Sequence, residues 1–154
     1  MKQTHKKTSH PQTFRAGVGA IILNENGQVL GLERKHIPGA WQFPQGGLKQ
    51  DEAPLEAVMR EVLEETGIEA NNLELLAPAS RWLAYELPEE ARNEKVGRGQ
   101  VHRWFLFRFK GSDEDITLGT GKEFRTWRWI PMAELVSNVV SFKRPVYQEL
   151  AEHF

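Results

Sequence analysis

The chain has 154 residues with 20 basic and 21 acidic side chains, which give a formal net charge of -1, and it contains no cysteine. This length suits one domain with a core of its own, while the missing cysteines exclude disulfides, thiolate metal sites and a cysteine nucleophile. The balanced charge argues against a general nucleic-acid binder, and no apolar run approaches the roughly 20 residues of a bilayer-spanning helix, so we expect a soluble, cytoplasmic protein.

The first segments of the chain predict a tail followed by a β-hairpin. Residues 1–13 are polar and basic and lack the apolar core of a secretory signal, so we expect a flexible tail ahead of one domain at residues 14–154. Residues 14–23 are small and then β-branched, and Asn26-Gly27 separates them from the apolar run at 29–34. This dipeptide between two apolar runs is a strong hairpin signal.

The next stretch, "HIPGAWQFPQGG" at residues 36–47, has no periodicity and contains two prolines and three glycines. It predicts a long loop with a constrained backbone, a kind of segment that tends to carry function. Trp41 and Phe43 are expected to brace the loop by burial rather than by touching a ligand. The amides of Gln42 and Gln45 offer hydrogen bonds, and Gln45 is a candidate for binding substrate.

One helix and a series of strands follow. Good helix formers fill residues 53–66, Pro54 suits the first turn, and Gly67 stands where a helix would stop. Residues 73–87, 101–109 and 126–132 are typical of strands, and residues 144–153 are amphipathic enough for a final helix. Strands before and after a helix predict an α+β fold in which helices pack on a mixed sheet.

The predicted helix carries an acidic cluster. Glu61, Glu64 and Glu65 fall at i, i+3 and i+4 and therefore share one face, whereas the apolar residues Leu55, Val58 and Val62 form another. Like charges at this spacing destabilise a helix by roughly 0.2 to 0.5 kcal/mol per pair, and a divalent cation would reverse that effect. Hard oxygen ligands favour Mg²⁺ or Mn²⁺ over zinc. The alternative is a plain solvated helix face, which is the commoner fate of a glutamate cluster.

A longer spacing favours the metal site. Gly46 is followed after five residues by Glu52 and after seven more by "REVLEETGI", residues 60–68, so that nine specified positions match over 23 residues. This pattern resembles the Nudix box, and the chain is identified as resembling a Nudix hydrolase. The resemblance implies an α/β/α sandwich with a mixed sheet and a loop-helix-loop motif, in which Mg²⁺ is held by helix carboxylates and water cuts a diphosphate bond.

The same resemblance suggests roles within the motif. Gly46 would bring backbone groups close to the metal or the phosphates. The carboxylates expected to bind metal and to act in catalysis are Glu61, Glu64 and Glu65. Arg60 is expected to pair with Glu52 across the loop as structural support, so that loss of either side chain loosens the metal site.

Segments outside the motif resemble bacterial RNA pyrophosphohydrolases and the similar dinucleoside polyphosphate hydrolases. They include "WQFPQGG", "RWLAYELP", "GQVHRWFLFRF", "EFRTWRW" and "VVSFKR". The resemblance implies that Arg15, Arg34 and Lys143 lie near the triphosphate. The alternative is that these are ordinary surface cations, an interpretation almost as good for Arg34.

Two further residues are assigned through this resemblance. Phe142 is expected to stack on a nucleobase, a contact worth roughly 1 to 3 kcal/mol, with core packing as its alternative. Glu123 follows a glycine-containing loop and is expected to complete the metal site as a ligand or a general base, with a solvated loop carboxylate as its alternative.

The predicted function is therefore metal-dependent conversion of 5′-triphosphorylated RNA into 5′-monophosphorylated RNA, the step that initiates mRNA decay. A dinucleoside polyphosphate of the Ap4A type is the alternative substrate. A non-catalytic module that binds RNA 5′ ends is the alternative from another class of protein, although a binder would have no need of carboxylates that repel its ligand. Cleavage of oxidised nucleoside triphosphates or of ADP-ribose is a third, weaker possibility.

Overall fold

One mixed β-sheet runs through the computed structural model, which describes residues 12–78, 82–119 and 123–154. Its strands are β1 (Phe14–Leu23), β2 (Val29–Arg34), β3 (Trp41–Gln42), β4 (Gln45–Gly47), β5 (Leu73–Pro78), β6 (Leu83–Glu86), β7 (Gly99–Phe109) and β8 (Phe124–Ile130). The α-helices in the described part of the chain are α1 (Pro54–Thr66), α2 (Met132–Asn138) and α3 (Arg144–His153). The tail predicted for residues 1–13 lies outside the described residues as far as residue 11.

The sheet is centred on a parallel pair. Strand β1 runs parallel to β7 along its whole length, from Phe14 opposite Gly99 to Leu23 opposite Arg108. The other pairs are antiparallel: β2 with β1, β3 and β8; β4 with β1; and β5 and β6 with β7. The sheet is therefore mixed, as the sequence predicts.

The predicted hairpin between β1 and β2 is confirmed. Asn24 Oδ1 accepts hydrogen bonds from the N–H groups of Asn26 and Gln28, at 3.0 and 2.9 Å. Gly27 has a φ of 77°, a conformation that glycine adopts without steric cost. The side chain of Asn24 thus stabilises the turn that the Asn-Gly dipeptide indicates.

The stretch at residues 36–47 is not wholly a loop, because it contributes two short strands to the sheet. Leu32 of β2 pairs with Gln42 of β3, and Gly19 of β1 pairs with Gln45 of β4. The prolines and glycines of this stretch still interrupt the pairing, with Pro44 between the two strands. The stretch is therefore fixed to the sheet on both sides of that proline.

Helix α1 has the predicted start and end. Pro54 is its first residue, and Gly67 ends it with a φ of 74° and an N–H bonded to the Leu63 carbonyl at 2.9 Å. Val58 and Val62 are buried as predicted, whereas Leu55 is 40% exposed. The prediction that Leu55 belongs to the packed apolar face was therefore wrong, because this residue lies in the first turn, at the edge of the contact with the sheet.

The sheet lies between two layers of helix, so the predicted α/β/α sandwich is confirmed. On one face, α1 covers a core formed by Val18, Ala20, Ile22, Leu30, Phe105 and Phe107. On the other face, α2 and α3 cover a core that includes Ile21, Phe43, Trp104 and Ile130. The final helix has the predicted bounds, 144–153. Among the described residues, the structure contains no helix with the length and hydropathy needed to cross a membrane.

Candidate active site

A cleft of about 570 Å³ opens where β4, the start of β1 and the C-terminal half of α1 meet the segment before α3. It is lined by predicted site residues from all these elements: Arg15, Arg34, Gln45, Gly46, Glu61, Glu65, Glu123, Phe142 and Lys143. The fold therefore brings together residues that are separated by more than a hundred positions in the sequence. Glu64, Glu52 and Arg60 are not among the lining residues.

The carboxylates in the cleft lie in a partly buried, electrostatically crowded position. Glu65 is only 8% exposed, and its Oε1 accepts the N–H of Gln45 at 3.1 Å. Burial, followed by the negative charges of Glu123 and Glu61, raises the pKa of Glu65 well above its usual value. Burial also raises the pKa of Glu61, against the opposing effect of its hydrogen bond from Arg60. Each carboxylate is costly to ionise, which is the situation that a bound cation relieves.

Gly46 lies directly against Glu61. A Cβ atom added at Gly46 would overlap the carboxyl group of Glu61. Only glycine therefore allows this carboxylate to lie against the β4 backbone. The neighbouring Gly47 is in close contact with the guanidinium of Arg15 in the same way.

The predicted pairing of Arg60 with Glu52 is confirmed. Arg60 Nε and Nη2 donate to the two oxygens of Glu52, at 2.8 and 2.9 Å, and Nη2 also donates to the Gly47 carbonyl at 2.9 Å. The hydrogen bond from Arg60 lowers the pKa of Glu52 to about 2, with a further contribution from the Lys49 N–H. This bidentate pair ties the loop before α1 to the body of the helix.

The acidic face of α1 is less uniform than its spacing predicts. The side chain of Glu64 is 56% exposed, and its Oε1 lies 3.5 Å from Arg60 Nη1. It is one residue, or about 100°, round the helix from the buried Glu65. The helix therefore directs Glu61 and Glu65 into the cleft and Glu64 towards solvent at its margin.

The residues present fit a hard divalent cation. Among the described residues, no three acidic or histidine side chains converge closely enough to hold a metal as they stand. The carboxylate of Glu61 instead accepts a hydrogen bond from Arg60 Nη1 at 2.8 Å, and the carboxylate of Glu65 accepts one from the N–H of Gln45. The side-chain atoms available to coordinate a metal are nevertheless all oxygens. The negative charges of Glu61, Glu65 and Glu123 lie close enough to repel one another. Gly46, Glu61, Glu65 and Glu123 could thus hold Mg²⁺ in the cleft, whereas the predicted ligand Glu64 lies at its margin.

Cations line the cleft next to these carboxylates. Lys143 is 5% exposed, and its Nζ donates to Gln42 Oε1 at 3.2 Å. Burial, and then the positive charge of Arg34, lowers the pKa of Lys143 to about 7, while Glu65 oppositely favours the charged form. Arg34 is half-buried and Arg15 is exposed at the mouth of the cleft. The predicted phosphate-binding cations therefore share one cavity, and Lys143 is not an ordinary surface lysine.

The aromatic residues divide between the cleft and the core. Phe142 is half-buried, lines the cleft, and packs against the ring of Tyr85 with a centroid distance of 5.6 Å. It therefore has both a packed side and a side towards the cavity, so stacking on a base and packing in the core are compatible. Phe43 is fully buried as predicted, and Trp41 is half-buried beneath the guanidinium of Arg128 at 4.8 Å.

Several cleft residues were missed from the sequence. Tyr85, Gln100 and His102 line the cavity, and Tyr147 lies behind it. Burial, with the charges of Lys143 and Arg15, lowers the pKa of His102 to about 3, so this imidazole is neutral at physiological pH. For Tyr85, the sequence did contain a usable signal. Leu83 and Tyr85 alternate on the buried face of β6, and a buried tyrosine needs a hydrogen-bond partner for its hydroxyl.

Comparisons with known proteins bear on the family and the fold of this chain. The NUDIX domain family matches residues 13–150. An RNA pyrophosphohydrolase of Cereibacter sphaeroides is 42% identical, with alignment over 97% of this chain and 96% of that protein. An RNA pyrophosphohydrolase of Rhodospirillum rubrum is 45% identical over 89% of this chain and 84% of the relative. The E. coli dihydroneopterin triphosphate pyrophosphohydrolase has a similar fold, with a TM-score of 0.73 and 20% identity over 93% of this chain and all of that one.

Proposed function

Because the chain belongs to the NUDIX family of hydrolases that cut phosphoric anhydride bonds, we propose that it removes the 5′ pyrophosphate of triphosphorylated RNA and leaves a 5′ monophosphate. One observation of the structure carries this proposal. A single cleft places the carboxylates Glu61 and Glu65 beside the cation Lys143 and the aromatic ring of Phe142. A polyphosphate joined to a nucleoside needs this combination of a metal site, positive charge and a flat apolar surface.

The acidic residues of the cleft form the proposed metal site. Gly46, Glu61, Glu64, Glu65 and Glu123 would hold Mg²⁺ or Mn²⁺, and the Glu52–Arg60 pair fixes the loop next to them. When bound, the cation supplies positive charge for the phosphate oxygens and makes water a better nucleophile. In the reaction, water adds to phosphorus, the anhydride P–O bond breaks, and one of these carboxylates accepts the proton from water.

The remaining residues bind and orient the substrate. Lys143, Arg34 and Arg15 would neutralise the phosphate chain, and the ring of Phe142 would stack on a base next to it. Gln45 exposes its side chain to the same cavity while its N–H holds Glu65. Removal of the 5′ pyrophosphate would place this activity at the start of mRNA decay, and we propose that it takes place in the cytoplasm.

A side-by-side comparison of two substrates tests the proposal. Purified protein with Mg²⁺ is given γ-labelled triphosphorylated RNA in one reaction and diadenosine tetraphosphate in another, at equal concentrations. We expect labelled phosphate or pyrophosphate from the RNA, at a higher kcat/KM than for the dinucleotide. No label released from RNA, together with rapid cleavage of the dinucleotide, would replace RNA by dinucleoside polyphosphates as the substrate class.

A further inference from the structure

We propose that Tyr147 is a positioning residue for the metal site, and that its hydroxyl acts on Glu65 through Gln45. The inference rests on the proposed function in taking Glu65 as a metal ligand. Tyr147 lies on α3, on the face of the sheet opposite α1, and its side chain is fully buried. Its hydroxyl thus connects the helix layer behind the cleft to a ligand on the helix in front of it.

The hydroxyl of Tyr147 uses both its acceptor and its donor on one short segment. It accepts the N–H of Phe43 at 3.1 Å and donates to Oε1 of Gln45 at 3.2 Å. Between these residues, the Pro44 carbonyl accepts the N–H of Ala20 from β1 at 2.9 Å. The segment 43–45 is therefore held from the sheet on one side and by Tyr147 on the other.

The side chain of Gln45 is held at its other end too. Its Nε2 donates to the Tyr85 hydroxyl at 3.3 Å, and that hydroxyl donates to Oε1 of Gln100. Both amide atoms of Gln45 are therefore hydrogen-bonded. Its backbone N–H, in the segment that Tyr147 and β1 hold, donates to Glu65 Oε1 at 3.1 Å.

Orientation matters at Glu65 because this carboxylate is buried close to other negative charges. Glu61 and Glu123 repel it, and the Gln45 N–H is a hydrogen bond that opposes its rotation away from the cleft. Groups that orient metal ligands typically change metal affinity or activity by about 10- to 100-fold when they are removed. A purely structural tyrosine would instead act through its ring, which packs on Phe43 with a centroid distance of 4.7 Å.

The variant Tyr147→Phe separates these roles, since it keeps the ring and removes only the hydroxyl. Val146→Ala is the matched control, because Val146 is a buried neighbour on the same helix. We would measure Mn²⁺ binding to the substrate-free protein by the electron paramagnetic resonance signal of unbound Mn²⁺, together with the thermal midpoint. Tyr147→Phe should raise the Mn²⁺ dissociation constant by about 10-fold. Val146→Ala should lower the thermal midpoint and leave Mn²⁺ affinity unchanged.

Steady-state rates add a second signature. At limiting Mg²⁺, Tyr147→Phe should hydrolyse substrate about 10-fold more slowly than wild type, and excess Mg²⁺ should restore most of the rate with KM for substrate unchanged. Gln45→Ala should show the same loss of Mn²⁺ affinity, and the double variant should lose no more than either single one. If Tyr147→Phe fails to fold, Gln45→Ala is compared with Tyr85→Phe, which removes only the other hydrogen bond of the Gln45 amide. A loss of Mn²⁺ affinity in Gln45→Ala alone supports the inference, and an equal loss in both variants overturns it.

Wild-type Mn²⁺ affinity in Tyr147→Phe, or an equal loss in Val146→Ala, would overturn the inference. So would full additivity of the Tyr147 and Gln45 substitutions. These outcomes are independent of the substrate, because Mn²⁺ binding is measured without one. A protein that cleaved only dinucleotides would therefore contradict the proposed RNA substrate while the role of Tyr147 was still decided.

Discussion

Replacing Lys143 by methionine should make the protein more stable and less active. The pKa of Lys143 falls from 10.5 to about 7, mainly through burial. At about 1.4 kcal/mol per pKa unit, the charged amine destabilises the folded state by up to about 5 kcal/mol below pH 7. Methionine removes this cost but leaves Gln42 Oε1 without its donor, which costs about 1 to 3 kcal/mol. A net gain of about 2 kcal/mol is therefore expected at pH 6.

The pH dependence of this gain has a definite sign. Between pH 7 and pH 10.5 the unfolded chain still carries the proton on Lys143 while the folded chain has lost it. The unfolded state then binds more protons, so wild-type stability rises with pH over this window. The advantage of Lys143→Met should accordingly be largest at pH 6. By pH 10 the difference should reverse, because the cost in wild type has fallen below about 1 kcal/mol, while the missing donor to Gln42 still costs the variant about 1 to 3 kcal/mol.

Urea unfolding at pH 6 and pH 9.5 measures the stability of both proteins, and hydrolysis of triphosphorylated RNA measures the function. Loss of a charged hydrogen bond to phosphate should lower kcat/KM by about 10- to 100-fold. Lys110→Met is the control, since Lys110 is exposed and should affect neither quantity. A variant less stable than wild type by the same amount at both pH values, or as active as wild type, would refute this reasoning.

Three further substitutions test the acidic side of the cleft. Gly46→Ala should lower Mg²⁺-dependent hydrolysis by at least about 10- to 100-fold with the circular dichroism spectrum unchanged, because the new Cβ overlaps the Glu61 carboxyl group; wild-type turnover would contradict the close contact. Glu65→Gln should lower kcat by about 100-fold or more without lowering the melting temperature, whereas the exposed control Glu69→Gln should match wild type in both. Glu52→Gln should be less stable than wild type at pH 6, and thermal melts should show this difference shrinking towards pH 3. The ionised Glu52 carboxylate stabilises the folded state above pH 4.5, and this stabilisation is lost as pH falls towards its folded pKa of about 2. A difference in stability that grows in acid would contradict this reasoning.

The parts of the fold that depend on local signals could be predicted from the sequence. Pro54 and Gly67 act within one turn of the helix they bound, and Asn26-Gly27 forms its hairpin turn with neighbouring residues. The resemblance to the motif also implied the pairing of Arg60 with Glu52, which joins the middle of α1 to the loop before it.

Features that depend on distant partners could not be predicted in this way. Strands β3 and β4 have two and three residues, too few for a periodic pattern, and exist through pairing with β2 and β1. Helix α2 was missed because its start at Met132 follows a strand-like run directly. The hydrogen bond from Tyr147 to Gln45 joins residues 102 positions apart, so only the folded chain reveals it.

The acidic residues of α1 show what sequence spacing alone can and cannot predict. Residues i, i+3 and i+4 share one side of a helix, but the spacing does not show where the sheet lies against that side. In the structure, the packing of α1 buries Glu65 and leaves Glu64 exposed, although they are adjacent in sequence. The burial of individual carboxylates on α1 is thus set by tertiary packing and not by helical periodicity.

The position of the metal tests the account most directly. Crystals of the protein soaked with Mn²⁺ and a non-hydrolysable 5′-triphosphorylated nucleotide would be measured at the manganese absorption edge. The anomalous signal should lie in the cleft, next to Gly46, Glu61 and Glu65, with the triphosphate beside it. A triphosphate bound at another surface, with no manganese signal at these carboxylates, would contradict the proposed chemistry.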